Sequence, residues 1–173
     1  MSSRVAAVVF ALTAAIVPSG MTVACGGSSP APSAPSEGAK GTSAEAPAER
    51  CLAIAGAKRE PKADAPEKIA VRHILVKYAG AKRAPESVTR TRGEACLRAL
   101  EAREKLEGGA SFAEVVGAYS EEPGAATREG SLGPIQRTDV VPPFADAAFE
   151  LGRGDVSHVV ESDYGFHVIQ RTE

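Results

Sequence analysis

A small α+β domain with a four-stranded, largely antiparallel sheet flanked by helices is predicted from three observations. Residues 69–76 alternate as a strand does, with Ile69, Val71, His73 and Leu75 on one face and Arg72, Ile74 and Val76 on the other. Residues from about 89 to 119 carry apolar side chains at helical spacing. Two β-rich runs at the C-terminus, 156–160 and 164–170, are joined by Glu161, Ser162 and Asp163 and read as a hairpin. The resulting element order is β-α-α-β-α-β-β.

Each element has its own signal. The first strand gives way to a loop over residues 77–88, which holds Gly80, Pro85 and several basic side chains. Ala95, Ala99, Ala102 and Leu106, with Cys96 and Leu100, form the stripe of a helix from about 89 to 106 that Gly108 and Gly109 stop. Ser111 followed by Glu114 is a capping box for a second helix running to about Tyr119. Glu122, Pro123 and Gly124 open a loop that ends at Gly130, and residues 131–136 form a short extended piece. Pro142 and Pro143 suit the first turn of a third helix, whose stripe is Phe144, Ala147, Ala148 and Leu151 before Gly152.

The domain occupies only part of the 173 residues. Residues 1–24 resemble an export signal: Arg4 precedes a 13-residue apolar run, Val5 to Val17, which is short for a membrane-spanning helix of ~20. Ala24, Cys25, Gly26 and Gly27 resemble a bacterial lipoprotein processing site, although Thr22 stands where Leu is usual. Lipid attached at Cys25 would anchor the chain to a membrane of the cell envelope, facing the periplasm or the exterior. Residues 25–67 contain half of the 12 prolines in a background of Ser, Ala and Glu, and read as a flexible tether. The folded part is then residues 68–173, enough for one small domain and too short for a multidomain enzyme.

Cys51 and Cys96 remain once Cys25 is set aside. An oxidising compartment permits a bridge between them, but Cys51 lies in the tether and Cys96 in a helix. The reading favoured here makes Cys96 a small buried hydrophobe. The apolar patch from Cys51 to Ala55 has no account at this level.

Net charge is −2, which argues against a nucleic-acid binder working by counterion release over its whole surface. The charge is unevenly distributed. Arg72, Lys77, Lys82, Arg83, Arg90 and Arg92 face Glu86 alone across residues 72–92, whereas residues 93–173 hold 7 basic and 15 acidic side chains. This pattern fits either a local anion contact or a solvated basic loop.

His73 and His167 lie in the first and last strands and would be neighbours on one face if those strands pair centrally. Such a pair could form a polar network, and a satisfied core histidine is the plainer alternative. A zinc site is disfavoured, because no Cys/His ligand spacing is present and a third ligand would have to come from Glu122 or Asp163. Ser120 and Ser162 lie in no G-x-S-x-G elbow, and no Gly-rich phosphate cradle is present. His158 is expected at the surface.

Five blocks, in order, resemble the parvulin peptidyl-prolyl cis-trans isomerases. They are residues 71–76 around His73; Phe112 with 119–124 around Glu122; 130–133 around Leu132; 140–149 from Val140 through Phe144; and 163–169 around His167. The resemblance implies a parvulin fold and an enzyme that needs no cofactor and no metal, probing proline-containing polypeptides as a monomer. It implies that Leu132, Val140 and Phe144 form the proline pocket, that His73 and His167 are paired imidazoles beneath it, that Ser162 hydrogen-bonds to them, and that Glu122 lies beside the substrate carbonyl. Glu122 stands where Asp or Cys is common, and Val140 where a longer Met is common. Lys77, Lys82 and Arg83 resemble the cluster that reads phosphate or acidic residues before proline in one branch of the family. A parvulin fold that binds chains without turnover, as a chaperone or binding module, is the alternative.

Overall fold

In a computed structural model, which describes residues 46–60 and 62–173, four strands and four helices form one α+β unit. The export-signal and lipidation expectations, Cys25 included, and the tether up to residue 45 lie outside the described residues. The elements are α1 (Pro47–Ala55), β1 (Lys68–Val76), α2 (Arg92–Glu107), α3 (Phe112–Tyr119), β2 (Ser131–Gln136), α4 (Pro142–Glu150), β3 (Val160–Ser162) and β4 (Gly165–Arg171).

The sheet order is β2-β1-β4-β3, and every neighbouring pair is antiparallel. The first and last strands therefore pair at the centre, with His73 opposite Ile169 and Leu75 opposite His167. Both faces of β1 are covered. Ile74 and Val76, with Phe166 and Val168 of β4, pack under α2 and α3 against Cys96, Ala99, Phe112 and Val116. Ile69, Val71 and Ile169 face the other way, against Phe144, Ala148 and Phe149 of α4. The alternation read along residues 69–76 thus serves two cores rather than a core and a solvent face.

Local chemistry sets the boundaries. Helix α2 begins at Arg92 rather than 89, because Thr91 caps it: its hydroxyl accepts the Glu94 N–H at 3.2 Å, and the Glu94 carboxylate accepts the Thr91 N–H at 2.7 Å. Ser111 and Glu114 make the same box before α3. Of the strand expected at 156–160, Val156 makes an isolated bridge to Gln170 and Val160 alone enters a strand. The Ser157 hydroxyl takes the Ile169 N–H at 2.9 Å and so interrupts the ladder there. The hairpin strand is instead Val160–Ser162, turning through Asp163 and Tyr164, which puts Ser162 in a strand rather than in the connecting loop.

Two expectations about the N-terminal side are corrected. Within residues 25–67, read as a tether, Pro47–Ala55 is a helix with Pro at its N-terminal position and the Glu49 carboxylate accepting the Ala46 N–H at 3.2 Å. Averaging composition over a Pro-rich stretch hid a local helix start. Its buried face, Cys51 and Ala55 with Leu52 beside them, packs in the same core as α2, which accounts for the apolar patch. Cys96, expected as a free buried hydrophobe, forms a disulfide with Cys51, the Cα atoms 6.0 Å apart. The bond joins α1 to α2 across 45 residues of sequence.

Candidate active site

The segment after α3 runs beside β1 and delivers Glu122 to His73. The Ser120 hydroxyl accepts the Leu75 N–H at 3.2 Å, and the Glu121 N–H donates to the Leu75 carbonyl at 2.7 Å. The Glu121 carboxylate accepts the Lys77 N–H at 2.7 Å and pairs with Arg90. Ser120 and Glu121 are therefore structural, and the following residue, Glu122, is left pointing along the sheet face that carries the histidines.

There His73, His167, Glu122 and Ser162 form one hydrogen-bonded chain. His73 Nε2 lies 2.9 Å from the Glu122 carboxylate, the two Nδ1 atoms lie 3.2 Å apart, and His167 Nε2 lies 2.7 Å from the Ser162 hydroxyl. Ser162 also accepts the Tyr164 N–H at 3.2 Å. Both imidazoles are buried. A neutral pair satisfies every contact with one direction of donation: Ser162 O–H to His167 Nε2, His167 Nδ1–H to His73 Nδ1, and His73 Nε2–H to the Glu122 carboxylate. Burial first, then the neighbouring His73, push the His167 pKa well below the ordinary imidazole value, so His167 is neutral at physiological pH. The hydrogen bond from His73 is the main cause holding Glu122 below the usual carboxylate range; partial burial opposes it, and Arg128 adds to it.

Phe144 closes the pair from α4. Its ring meets both imidazoles edge-on, with centroids 5.4 Å from His73 and 5.2 Å from His167. Above this floor opens a cavity of about 450 Å³, whose apolar wall is Leu75, Leu132, Val140, Val141 and Phe144. Glu122, Lys77, Arg83, Asp139 and Tyr164 line its polar side. The structure thus gathers His73, His167, Glu122, Leu132, Val140 and Phe144 around one space, with Ser162 immediately behind His167.

The basic cluster divides. The Lys77 side chain is buried and its ammonium donates to the Arg83 carbonyl at 2.9 Å, so it shapes the loop and lines the inner cavity. Arg90 is engaged with Glu121 and the Lys77 carbonyl, and Arg92 with Glu161. Lys82 and Arg83 are exposed, and both lie over the Tyr164 ring at 5.1 and 5.8 Å. Most of the local positive charge read from residues 72–92 is thereby spent on structure. Reading single residues could not separate the two groups, because the partners Glu121 and Glu161 come from distant elements.

Sequence reasoning missed Leu75, Asp139, Val141 and Tyr164 as lining residues, and it missed Arg128, which pairs with Glu122. Leu75 was legible from its place on the His73 face. Arg128 was not, since nothing in an irregular loop ties it to Glu122.

A buried histidine pair on central antiparallel strands, capped by an aromatic ring and opening into an apolar cavity, places this domain among the parvulin-type peptidyl-prolyl isomerase domains. The comparisons agree. The family model described as the PPIC-type PPIase domain matches residues 57–173, and the chain belongs to that family. It is 39% identical over 114 residues to the putative peptidyl-prolyl cis-trans isomerase dodo of Drosophila melanogaster, covering 62% of this chain and 68% of that protein. It is 39% identical over 102 residues to the chaperone SurA of Alkalilimnicola ehrlichii, covering 59% of this chain and 22% of SurA. The chain thus spans about a fifth of the length of SurA, and likewise 22% of the foldase protein PrsA of Halalkalibacterium halodurans. Among solved structures, the peptidyl-prolyl isomerase ESS1 from Candida albicans superposes with a TM-score of 0.56 at 28% identity, covering 66% of each chain. The PPIase domain of TbPar42 superposes at 0.54 with 32% identity, covering 61% of this chain and 99% of that one.

Proposed function

We propose that this chain catalyses cis–trans rotation about X–Pro bonds in exported polypeptides. The barrier to that rotation, ~18–20 kcal/mol, comes from amide resonance, so a catalyst needs no nucleophile or cofactor. It has to hold the proline ring and make the conjugated amide less favourable than the twisted one. The observation that carries the reading is the joining of both requirements in one cavity: an apolar wall of Leu132, Val140 and Phe144 beside the ionised carboxylate of Glu122. A proline ring seated against that wall would bring its preceding carbonyl towards Glu122. Negative charge there disfavours the charge-separated resonance form, which places negative charge on the carbonyl oxygen, and so lowers the double-bond character of the C–N bond. His73 and His167, with Ser162 behind them, keep Glu122 aimed and the floor dry.

Lys82 and Arg83, exposed on the loop that Lys77 holds, would contact an acidic or phosphorylated residue before proline. An isomerisation assay on matched peptides with Ala, Glu or phosphoserine before proline tests both parts. His73→Ala is expected to lower kcat/KM on all three by about tenfold or more, whereas Lys82→Ala with Arg83→Ala should remove only a preference for the charged peptides. Wild-type turnover by the His73 variant would defeat the site assignment, and equal use of all three peptides by the wild type would make the basic loop a solvated surface.

The envelope location rests on the signal-like residues 1–24, the Cys25 context and the Cys51–Cys96 disulfide, which is the chemistry of an oxidising compartment. In that reading the chain is a monomer anchored through lipid on Cys25. Mass spectrometry of membrane-extracted protein is expected to find a lipid-modified N-terminal Cys25, and an unmodified mature N-terminus would refute the anchor.

A further inference from the structure

The loop that begins at Glu122 is tied to His73 at both ends. The Glu122 carboxylate meets His73 Nε2, and at the far end the Gly130 carbonyl accepts the His73 N–H at 2.9 Å. Between them the Gly130 N–H donates to the Ala125 carbonyl at 2.8 Å, and a single 3-10 turn, Ala126–Arg128, sends the chain back through Glu129 in a left-handed conformation (φ 53°). That reversal brings Arg128 across the loop to its start. One end of its guanidinium donates to the Pro123 carbonyl at 3.1 Å, and the other pairs with Glu122 on the same carboxylate oxygen that faces His73. The guanidinium lies against the loop backbone: a Cβ at Gly124 would meet its Nη1 at 3.2 Å.

We propose that Arg128 is a positioning residue for the His73–Glu122 pair, its forked guanidinium holding the Glu122 carboxylate in one orientation so that the imidazole pair keeps a single direction of hydrogen-bond donation. The inference rests on the reading of Glu122 as part of the reactive floor. A Glu side chain has one more rotatable bond than Asp, so a carboxylate on this longer arm needs a second contact to stay on target. Exposed ion pairs contribute little by themselves. This one differs because its carboxylate is only 26% exposed and is shared with an imidazole that is 5% exposed. A guanidinium can also donate to Pro123 and Glu122 at once, which an ammonium on a flexible stem does less well.

The charged and titratable groups facing Glu122 are few. His73 comes from β1 and Arg128 from its own loop, and His167, Lys77, Arg83, Asp139 and Tyr164 line the same cavity further round. Removing Arg128 takes away one of the two groups that contact the carboxylate among the described residues. The ionised form of Glu122 then loses support, so the acid limb of kcat/KM moves to higher pH.

The test compares the full chain with its Arg128→Gln, Arg128→Lys and Glu122→Gln variants. Two readouts are needed: kcat/KM on an Ala-Pro peptide against pH, and the imidazole nitrogen-15 shifts of His73, which report its tautomer. Arg128→Gln is expected to lower kcat/KM about three- to tenfold at neutral pH, to move the acid limb up by about half a pH unit or more, and to mix the His73 tautomers. Arg128→Lys should return the limb but recover the rate only in part. An Arg128→Gln protein with the wild-type limb and a single wild-type tautomer overturns the proposal. If Glu122→Gln turns over like the wild type, the reading of the floor fails instead. The tautomer signal does not depend on turnover, and it still decides the role of Arg128.

Discussion

Gly130→Ala is expected to destabilise the domain by about 3 kcal/mol and to remove most isomerase activity. Gly130 has φ 73°, which side chains rarely adopt, and it is buried. A Cβ there would overlap the His73 carbonyl and press on Val116 Cγ2 at 3.0 Å and Phe112 Cε1 at 3.2 Å. None of these neighbours can withdraw cheaply, because His73 is in the central strand and the other two are in the α3 core. Relief would come from moving the loop, which breaks the Gly130–His73 backbone bond and carries Glu122 away from the imidazole. Gly133 is the control. It has a similar φ of 67°, but a Cβ there meets nothing within 4 Å among the described residues, so Gly133→Ala isolates the cost of backbone strain, about 1 kcal/mol. Urea unfolding of the two variants measures the difference, and equal losses would show that strain alone, not the close approach to His73, governs Gly130.

Cys51→Ala is expected to lower stability by about 2–4 kcal/mol while kcat/KM on a short peptide stays within about twofold. The disulfide closes 45 residues, for which loop-closure entropy sets a ceiling of about 4 kcal/mol. Activity should survive because no residue of α1 lines the cavity above His73 and His167. The cost falls on α1 itself, a nine-residue helix too short to persist in water without its packing. Thermal unfolding of the variant, and of the wild type with and without reductant, measures the effect. A wild type that melts at the same temperature under both conditions would mean that the bridge adds nothing to the fold.

These two positions mark how differently parts of the molecule could be read in advance. Gly130 falls within a motif legible in sequence, and its neighbours His73, Phe112 and Val116 come from β1 and α3, both foreseen close to their observed limits. The Cys51 helix was hidden because proline-rich composition outweighed a short amphipathic face, and because the bridge needs α1 and α2 to lie side by side. The strand expected at 156–160 is broken up for a comparable reason: the hydroxyl of Ser157 competes with the ladder only once β4 is beside it.

The sequence by itself determined the element order from β1 onward, the two-faced alternation of β1, the capping of α3 and six of the residues that meet at the cavity, His73, Glu122, Leu132, Val140, Phe144 and His167, because these follow from periodicity, caps and motifs that are local or repeated in order. Only the tertiary structure decided which basic residues remain available, that Cys51 and Cys96 are joined, and that Arg128 reaches Glu122. Each of those depends on the approach of side chains from segments whose separation in the chain carries no periodic signal. A charge or a thiol does not announce its partner until the fold has placed one there.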